Sequence, residues 1–126
     1  MAGECVLVIE DNEKNVKLVR DVLQAAGFRT VEARTGLEGV ELAVEHRPDL
    51  VLMDIQLPDI DGVEALRRLR KDERTASVPV LALTAQAMHG DRERFLALGF
   101  DGYLAKPVDI ADLVATVKEH SEGRAR

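Results

Sequence analysis

The chain has a single cysteine among its 126 residues and no long apolar run. With one thiol, Cys5, no disulfide can form within the chain and no cysteine-based metal site can be built. The apolar run Val6–Ile9 is far shorter than a membrane span of about 18 residues, and acidic residues follow it, so neither a membrane helix nor a secretory leader is predicted. These absences favour a reducing, cytoplasmic compartment.

Positive charge is also in deficit. The chain has 17 basic and 23 acidic residues, for a net charge of −6. Nucleic acids and anionic membranes attract basic surfaces, so the composition argues against either as a partner. The most charge-rich stretch, RRLRKDER at 67–74, alternates in sign and is typical of a solvated helix end and loop.

Hydrophobic residues make up 46% of the chain, enough for one compact core. We expect a single domain over 1–126, with its core at about 4–120 and a frayed tail at 121–126. Strands are predicted at 5–10, 29–33, 50–54, 78–84 and 102–105. Helices are predicted at 12–26, 37–46, 62–70, 88–98 and 110–120. This alternation predicts an α/β fold with a doubly wound, five-stranded parallel sheet.

Polar side chains end four of the predicted strands: Glu10 and Asp11 the first, Asp54 the third, Thr84 the fourth and Lys106 the fifth. Each has an ordinary reading alone, as a helix cap, a turn residue, a strand end or a solvated lysine. Ligands of doubly wound sheets, however, bind at the carboxyl ends of the strands. We therefore expect the five side chains to converge on one site.

The chemistry of this set is coherent. Clustered carboxylates repel one another unless a cation joins them, and oxygen ligands favour Mg²⁺ over zinc. One carboxylate can then attack phosphorus and form an aspartyl phosphate. Because Asp54 ends a central strand, with Asp11 and Lys106 flanking it, Asp54 is the candidate nucleophile. The metal and the lysine would neutralise the transferring group, and the Thr84 hydroxyl would bond a phosphoryl oxygen.

Four segments carry a resemblance to a known family: VLVIEDN at 6–12, PDLVLMDIQLPDIDG at 48–62, VPVLALTA at 78–85 and GYLAKP at 102–107. Their order and spacing are similar to the receiver domain of response regulators, of the CheY-like superfamily. The resemblance covers about residues 4–120. It implies a flavodoxin-like strand order 2-1-3-4-5, with five helices on two faces.

The resemblance implies a role for each acidic position. Asp54 would accept a phosphoryl group from a histidine kinase or a histidine phosphotransfer protein. Mg²⁺ would be held by Asp54 and Asp11 directly, by Glu10 through water, and by the backbone carbonyl of Gln56. A glutamate in place of the family's first aspartate lengthens that arm, which favours the water-bridged contact.

The resemblance also implies roles around the phosphoryl group. Thr84, Ala85 and Lys106 would bind or follow its oxygens, the Lys106–Pro107 peptide bond would be cis, and Tyr103 would be the aromatic switch. In addition, Gln56 and Gln86 would tune the lifetime of the phosphoryl group.

The implied function is that of a single-domain response regulator in a two-component system or phosphorelay, which catalyses only its own phosphotransfer and dephosphorylation. Phosphorylation would alter the face made by the fourth helix, fifth strand and fifth helix, and a downstream protein would bind there. A monomer is expected, with dimerisation on phosphorylation left open.

Three alternatives remain at this point. A receiver-like interaction module that takes no phosphate would not need the complete set of polar residues. An aspartyl-phosphate phosphatase would need a second acid two residues after the nucleophile, where this chain has Gln56. A flavin-binding domain would need a phosphate loop after the first strand, where EDNEKN would repel phosphate.

Overall fold

Strands and helices alternate along the computed structural model, which describes residues 3–85 and 91–124. The strands are β1 (Cys5–Ile9), β2 (Arg29–Ala33), β3 (Leu50–Asp54), β4 (Val80–Thr84) and β5 (Gly102–Ala105). The helices are α1 (Glu13–Ala25), α2 (Gly36–His46), α3 (Gly62–Lys71), α4 (Asp91–Leu98) and α5 (Ile110–Arg124). None of these helices has the length and apolar character that crossing a membrane requires.

The five strands form one parallel sheet in the order β2-β1-β3-β4-β5, which confirms the predicted fold. The register aligns the carboxyl ends of neighbouring strands: Ile9 pairs with Met53, and Thr84 pairs with Ala105. The residues that follow these strands are therefore brought to one edge of the sheet.

Two apolar clusters cover the two faces of the sheet. Successive strand side chains point to opposite faces, so each buried strand contributes to both clusters and has a continuous apolar sequence. One cluster packs under α2, α3 and α4, and includes Leu7, Ile9, Val51, Met53, Leu66 and Phe95. The other packs under α1 and α5, and includes Val8, Leu23, Leu52, Leu83, Leu113 and Val117. Edge strand β2 is only partly buried.

Some element boundaries differ from the predictions. Strand β4 begins at Val80 rather than at 78, since Pro79 has no N–H to donate to a ladder. Helix α5 continues to Arg124, beyond the predicted end at 120, and the side chain of Ser121 is buried. The predicted start of the fourth helix at 88 lies outside the described residues.

Gly62 fixes the path of the chain from β3 into α3. Its N–H donates to the carbonyl of Ile55 at 2.8 Å. A Cβ at this position would lie 2.7 Å from the backbone oxygen of Asp54 and 2.9 Å from the Cα of Ile55. These are main-chain atoms that cannot rotate away, so only glycine lets α3 begin this close to the end of β3.

We therefore expect Gly62→Ala to lower the free energy of unfolding by about 1–3 kcal/mol, since the added methyl group must displace backbone. Urea denaturation followed by circular dichroism measures this. Gly102→Ala is the matched control, because its Cβ meets only side-chain atoms, the nearest being Cδ2 of Leu81 at 3.2 Å. It should stay within about 1 kcal/mol of the wild type. Equal losses in the two variants would contradict this account.

Candidate functional site

Three carboxylates gather at the carboxyl edge of the sheet. Glu10 and Asp11 follow β1 and Asp54 ends β3, and one oxygen from each lies within 4.8 Å of the others. Glu10 and Asp54 are buried, with 1% and 6% of their surface exposed, whereas Asp11 is exposed. The cluster therefore opens to solvent on the side of Asp11.

Lys106 places its ammonium between the two buried carboxylates. Its Nζ lies 2.7 Å from Oε1 of Glu10 and 2.8 Å from Oδ2 of Asp54. The backbone N–H of Lys106 donates to the carbonyl of Thr84 at 2.8 Å, which aligns the end of β5 with the end of β4. The Lys106–Pro107 peptide bond is cis.

Backbone N–H groups bind the second oxygen of each buried carboxylate. Oδ1 of Asp54 accepts from the N–H of Gln56 at 3.0 Å, and Oε2 of Glu10 accepts from the N–H of Asn12 at 3.1 Å. Asn12 in turn caps α1, its Oδ1 accepting from the N–H groups of Lys14 and Asn15. The loops after β1 and β3 thus fix the directions of both buried acids.

Burial and hydrogen bonding shift the pKa values of Glu10 and Lys106. Loss of solvation raises the pKa of Glu10, and the hydrogen bond from Lys106 only partly opposes that rise. For Lys106 the burial of the ammonium acts to lower the pKa, but hydrogen bonds to Asp54 and Glu10 outweigh it and the pKa is raised. The lysine therefore stays charged, and the carboxylates favour a positive charge beside them.

The donor set fits a hard divalent cation. Ionised, the three carboxylates carry three negative charges, and Lys106 offsets only one of them. All the available side-chain ligands are oxygens, and the exposed position of Asp11 leaves access from solvent. This combination suits Mg²⁺, which keeps several waters and takes few protein ligands. The backbone carbonyl of Gln56, in the loop after Asp54, is the fourth oxygen that the resemblance predicts.

A cavity of about 130 Å³ lies beside Asp54. Thr84, Ala85 and Gln56 line it together with Asp54, so the structure brings these predicted residues together. The other lining residues are Ile55, Val63, Arg94, Phe95 and Leu98. Gln86 lies outside the described residues.

Arg94 was not among the predicted residues. It belongs to α4, and its guanidinium carbon lies 4.8 Å from the centre of the Phe95 ring. No motif marks it, because its place beside the cavity depends on how α4 crosses the edge of the sheet. A sequence pattern does not specify that angle.

Tyr103, the predicted switch residue, is half-buried on β5 and does not line the cavity beside Asp54. Its ring centre lies 5.6 Å from that of Phe95, which does line the cavity. Phe95 therefore contacts Tyr103 and also lines the cavity beside Asp54. Tyr103 also lines a second cleft of about 180 Å³, together with Arg92, Asp101, Gly102, Thr116, Glu119 and His120.

The sequence model of one protein family, the response regulator receiver domain, matches residues 6–118 of this chain. This chain belongs to the response regulator receiver domains. The receiver is 46% identical to the polar-differentiation response regulator DivK of Brucella anthropi, over 91% of this chain and 94% of DivK. DivK of Brucella ovis is equally similar.

Solved structures agree with this assignment. One is the receiver domain of a Pseudomonas aeruginosa sensor histidine kinase, with a magnesium ion coordinated in its active-site cleft. It has a TM-score of 0.87 and 38% identity, over 96% of this chain and 99% of that one. Another is the chemotaxis protein CheY4 of Vibrio cholerae, with a TM-score of 0.86 and 27% identity, over 94% and 99% of the two chains.

Replacing Lys106 tests the electrostatics of the receiver. We expect Lys106→Met to lower the free energy of unfolding by about 1–3 kcal/mol near neutral pH, because two buried carboxylates lose their cation. In the folded protein the pKa of Glu10 is already raised, so protonation of this acid favours the folded state. The deficit should therefore shrink as the pH is lowered from about 8 to about 5.

Lys17→Met is the matched control, because Lys17 pairs with Asp21 at 2.7 Å on an exposed surface. Its loss should stay within about 0.5 kcal/mol and should not depend on pH over this range. Chemical denaturation at both pH values gives the comparison. A Lys106 variant as mildly affected as the control would show that its ammonium does not offset the buried acids.

Proposed function

We propose that this receiver is a single-domain response regulator that accepts a phosphoryl group on Asp54 from a phosphohistidine of a kinase or phosphotransfer protein. Mg²⁺ held by Glu10, Asp11, Asp54 and the carbonyl of Gln56 is part of the proposal, as is a cytoplasmic location. One observation carries it: the Asp54 carboxylate contacts the Lys106 ammonium and lines a cavity together with Thr84.

The chemistry follows from the positions of these groups. An oxygen of Asp54 attacks phosphorus, the P–N bond to the donor histidine breaks, and the ring nitrogen leaves with the bonding pair. Lys106 balances the negative charge on the transferring oxygens, and the Thr84 hydroxyl donates to one of them. When bound, Mg²⁺ would further neutralise the negative charge of the transferring group. Gln56 and Gln86 set the access of the water that later hydrolyses the acyl phosphate.

The similar proteins support this proposal. The Pseudomonas aeruginosa receiver has a magnesium ion coordinated in its active-site cleft, and this chain, which has a similar fold, gathers three carboxylates at one edge of its sheet. The curated relatives are response regulators, and the alignment spans 94% of their length.

The signal is proposed to reach the surface through Thr84 and Ala85. A phosphoryl group adds roughly −1.5 to −2 charge, which draws the Thr84 hydroxyl and the following loop toward Asp54. Tyr103 then turns inward, and the face formed by α4, β5 and α5 changes for a downstream protein partner. Couplings of this kind are typically about 1–3 kcal/mol. The receiver acts as a monomer in this scheme.

Intact-mass spectrometry after incubation with acetyl phosphate and Mg²⁺ tests the acceptor. We expect a gain of about 80 Da in the wild type, for one added PO₃H, and none in Asp54→Asn. The matched control is Asp49→Asn, at the opposite end of β3, which should be phosphorylated like the wild type. No gain with either acetyl phosphate or a phosphohistidine donor would favour the interaction module that takes no phosphate.

Thermal unfolding with added Mg²⁺ tests the metal site independently of phosphorylation. At about ten times its Kd, Mg²⁺ should stabilise the wild type by about 1.4 kcal/mol. Asp11→Asn should lose most of this gain, since it removes one carboxylate of the cluster. Asp21→Asn, an exposed acid on α1 that pairs with Lys17, should keep it. Equal gains in both variants would place the binding elsewhere.

A further inference from the structure

The acceptor loop, defined here as residues 55–61, joins β3 to α3 and carries Gln56. Both of its ends are fixed by backbone hydrogen bonds. The N–H of Ile55 donates to the carbonyl of Leu83 at 3.0 Å, and the N–H of Gly62 donates back to the carbonyl of Ile55 at 2.8 Å. Between these anchors, Gln56 holds Oδ1 of Asp54 through its N–H.

The tip of the acceptor loop is bound to a different helix. Oδ1 of Asp59 accepts from the N–H of Gly36 at 2.8 Å, and Oδ2 accepts from the N–H of Leu37 at 2.9 Å. These N–H groups open α2, where helix peptides leave donors without partners and the helix dipole favours negative charge. Loss of solvation works to raise the pKa of Asp59, but the bonds from Leu37 and Gly36 outweigh it and lower the pKa to about 2. The carboxylate is therefore ionised at neutral pH.

The loop and the helix also meet in close contact. A Cβ on Gly36 would lie 2.5 Å from Cγ1 of Ile60 and 3.2 Å from its backbone oxygen. The start of α2 is therefore shaped to admit the loop, and the bonds to Asp59 lie directly beside this contact.

We propose that Asp59 is a positioning residue, which fixes the acceptor loop against α2 and thereby presets the backbone of Gln56 for Asp54 and Mg²⁺. The inference rests on the proposed function, because it assigns the Gln56 carbonyl to the metal. Asp59 acts through the loop and touches no reacting group.

A simple helix-capping role makes a different prediction. Helix α2 has a second cap, Thr35, whose Oγ1 accepts from the N–H of Glu38 at 3.0 Å. Thr35 precedes the helix in the chain and has no bond to the acceptor loop among those described. If Asp59 only stabilised α2, removing either cap would affect the receiver in the same way. If it positions the loop, only the Asp59 variant would alter metal binding.

The experiment compares the Kd of Mg²⁺ for the unphosphorylated wild type, Asp59→Ala and Thr35→Ala, by titration followed by NMR amide shifts at neutral pH. Removing a residue that orients a metal ligand commonly costs about 10–100-fold in affinity, and Asp59 acts one step further away. We expect Asp59→Ala to raise the Kd by about 3- to 10-fold and Thr35→Ala to leave it unchanged. Asp59→Asn, which keeps one acceptor oxygen, should lie between Asp59→Ala and the wild type.

Urea denaturation of the same variants shows that each is folded and how far each is destabilised. An unchanged Kd in Asp59→Ala, or the same rise in Thr35→Ala at matched stability, would overturn the inference while leaving the proposed function intact. Absence of Mg²⁺ binding by the wild type would overturn the metal part of the proposed function, and the inference with it. The two failures are therefore distinguishable.

Discussion

Mutual repulsion among three carboxylates, two of them buried, is the constraint on which this receiver depends. Glu10 and Asp54 are held at this edge of the sheet because Glu10 follows β1 and Asp54 ends β3. The side chains of these two strands belong to both apolar clusters. The apolar core thus supplies the free energy that holds like charges together. Lys106 relieves part of the repulsion, and the negative charge that remains favours a further positive charge at this edge of the sheet.

The sheet and its loops contribute to the site in different ways. Parallel pairing of the strands determines which residues reach the carboxyl edge of the sheet, and the loops determine where the carboxylate oxygens point. Gln56 and Asn12 each direct one carboxylate oxygen through a backbone N–H, so the geometry of the site is independent of flexible side chains at these two points. Gly62 admits α3 close behind Asp54, and Asp59 attaches the same loop to α2. The loop that directs Asp54 is therefore itself held at the start of α3 and at the start of α2.

Much of the fold was predictable because its signals are local. Central strands such as Leu50–Asp54 are buried on both faces and therefore have nearly uninterrupted apolar sequences. The polar residue at the end of each central strand marks the carboxyl edge of the sheet. The strand order came from the family resemblance rather than from periodicity. What the sequence could not show depends on contacts distant in the chain: the hydrogen bond from Gly36 to Asp59, and the position of Arg94 beside the cavity. The roles of Gln56 and Tyr103 in signalling stay predictions.

The attachment of α4 has a mechanical consequence. Over residues 92–98, the part of α4 whose side chains are described, Phe95 alone is buried, and Leu96 and Leu98 are 42% and 44% exposed. The Phe95 ring meets the Phe100 ring edge-on, with ring centres 5.9 Å apart. Over these residues one aromatic ring is the fully buried contact between α4 and the core. Because the same ring lies between the cavity beside Asp54 and Tyr103, a change in its position alters the surroundings of both.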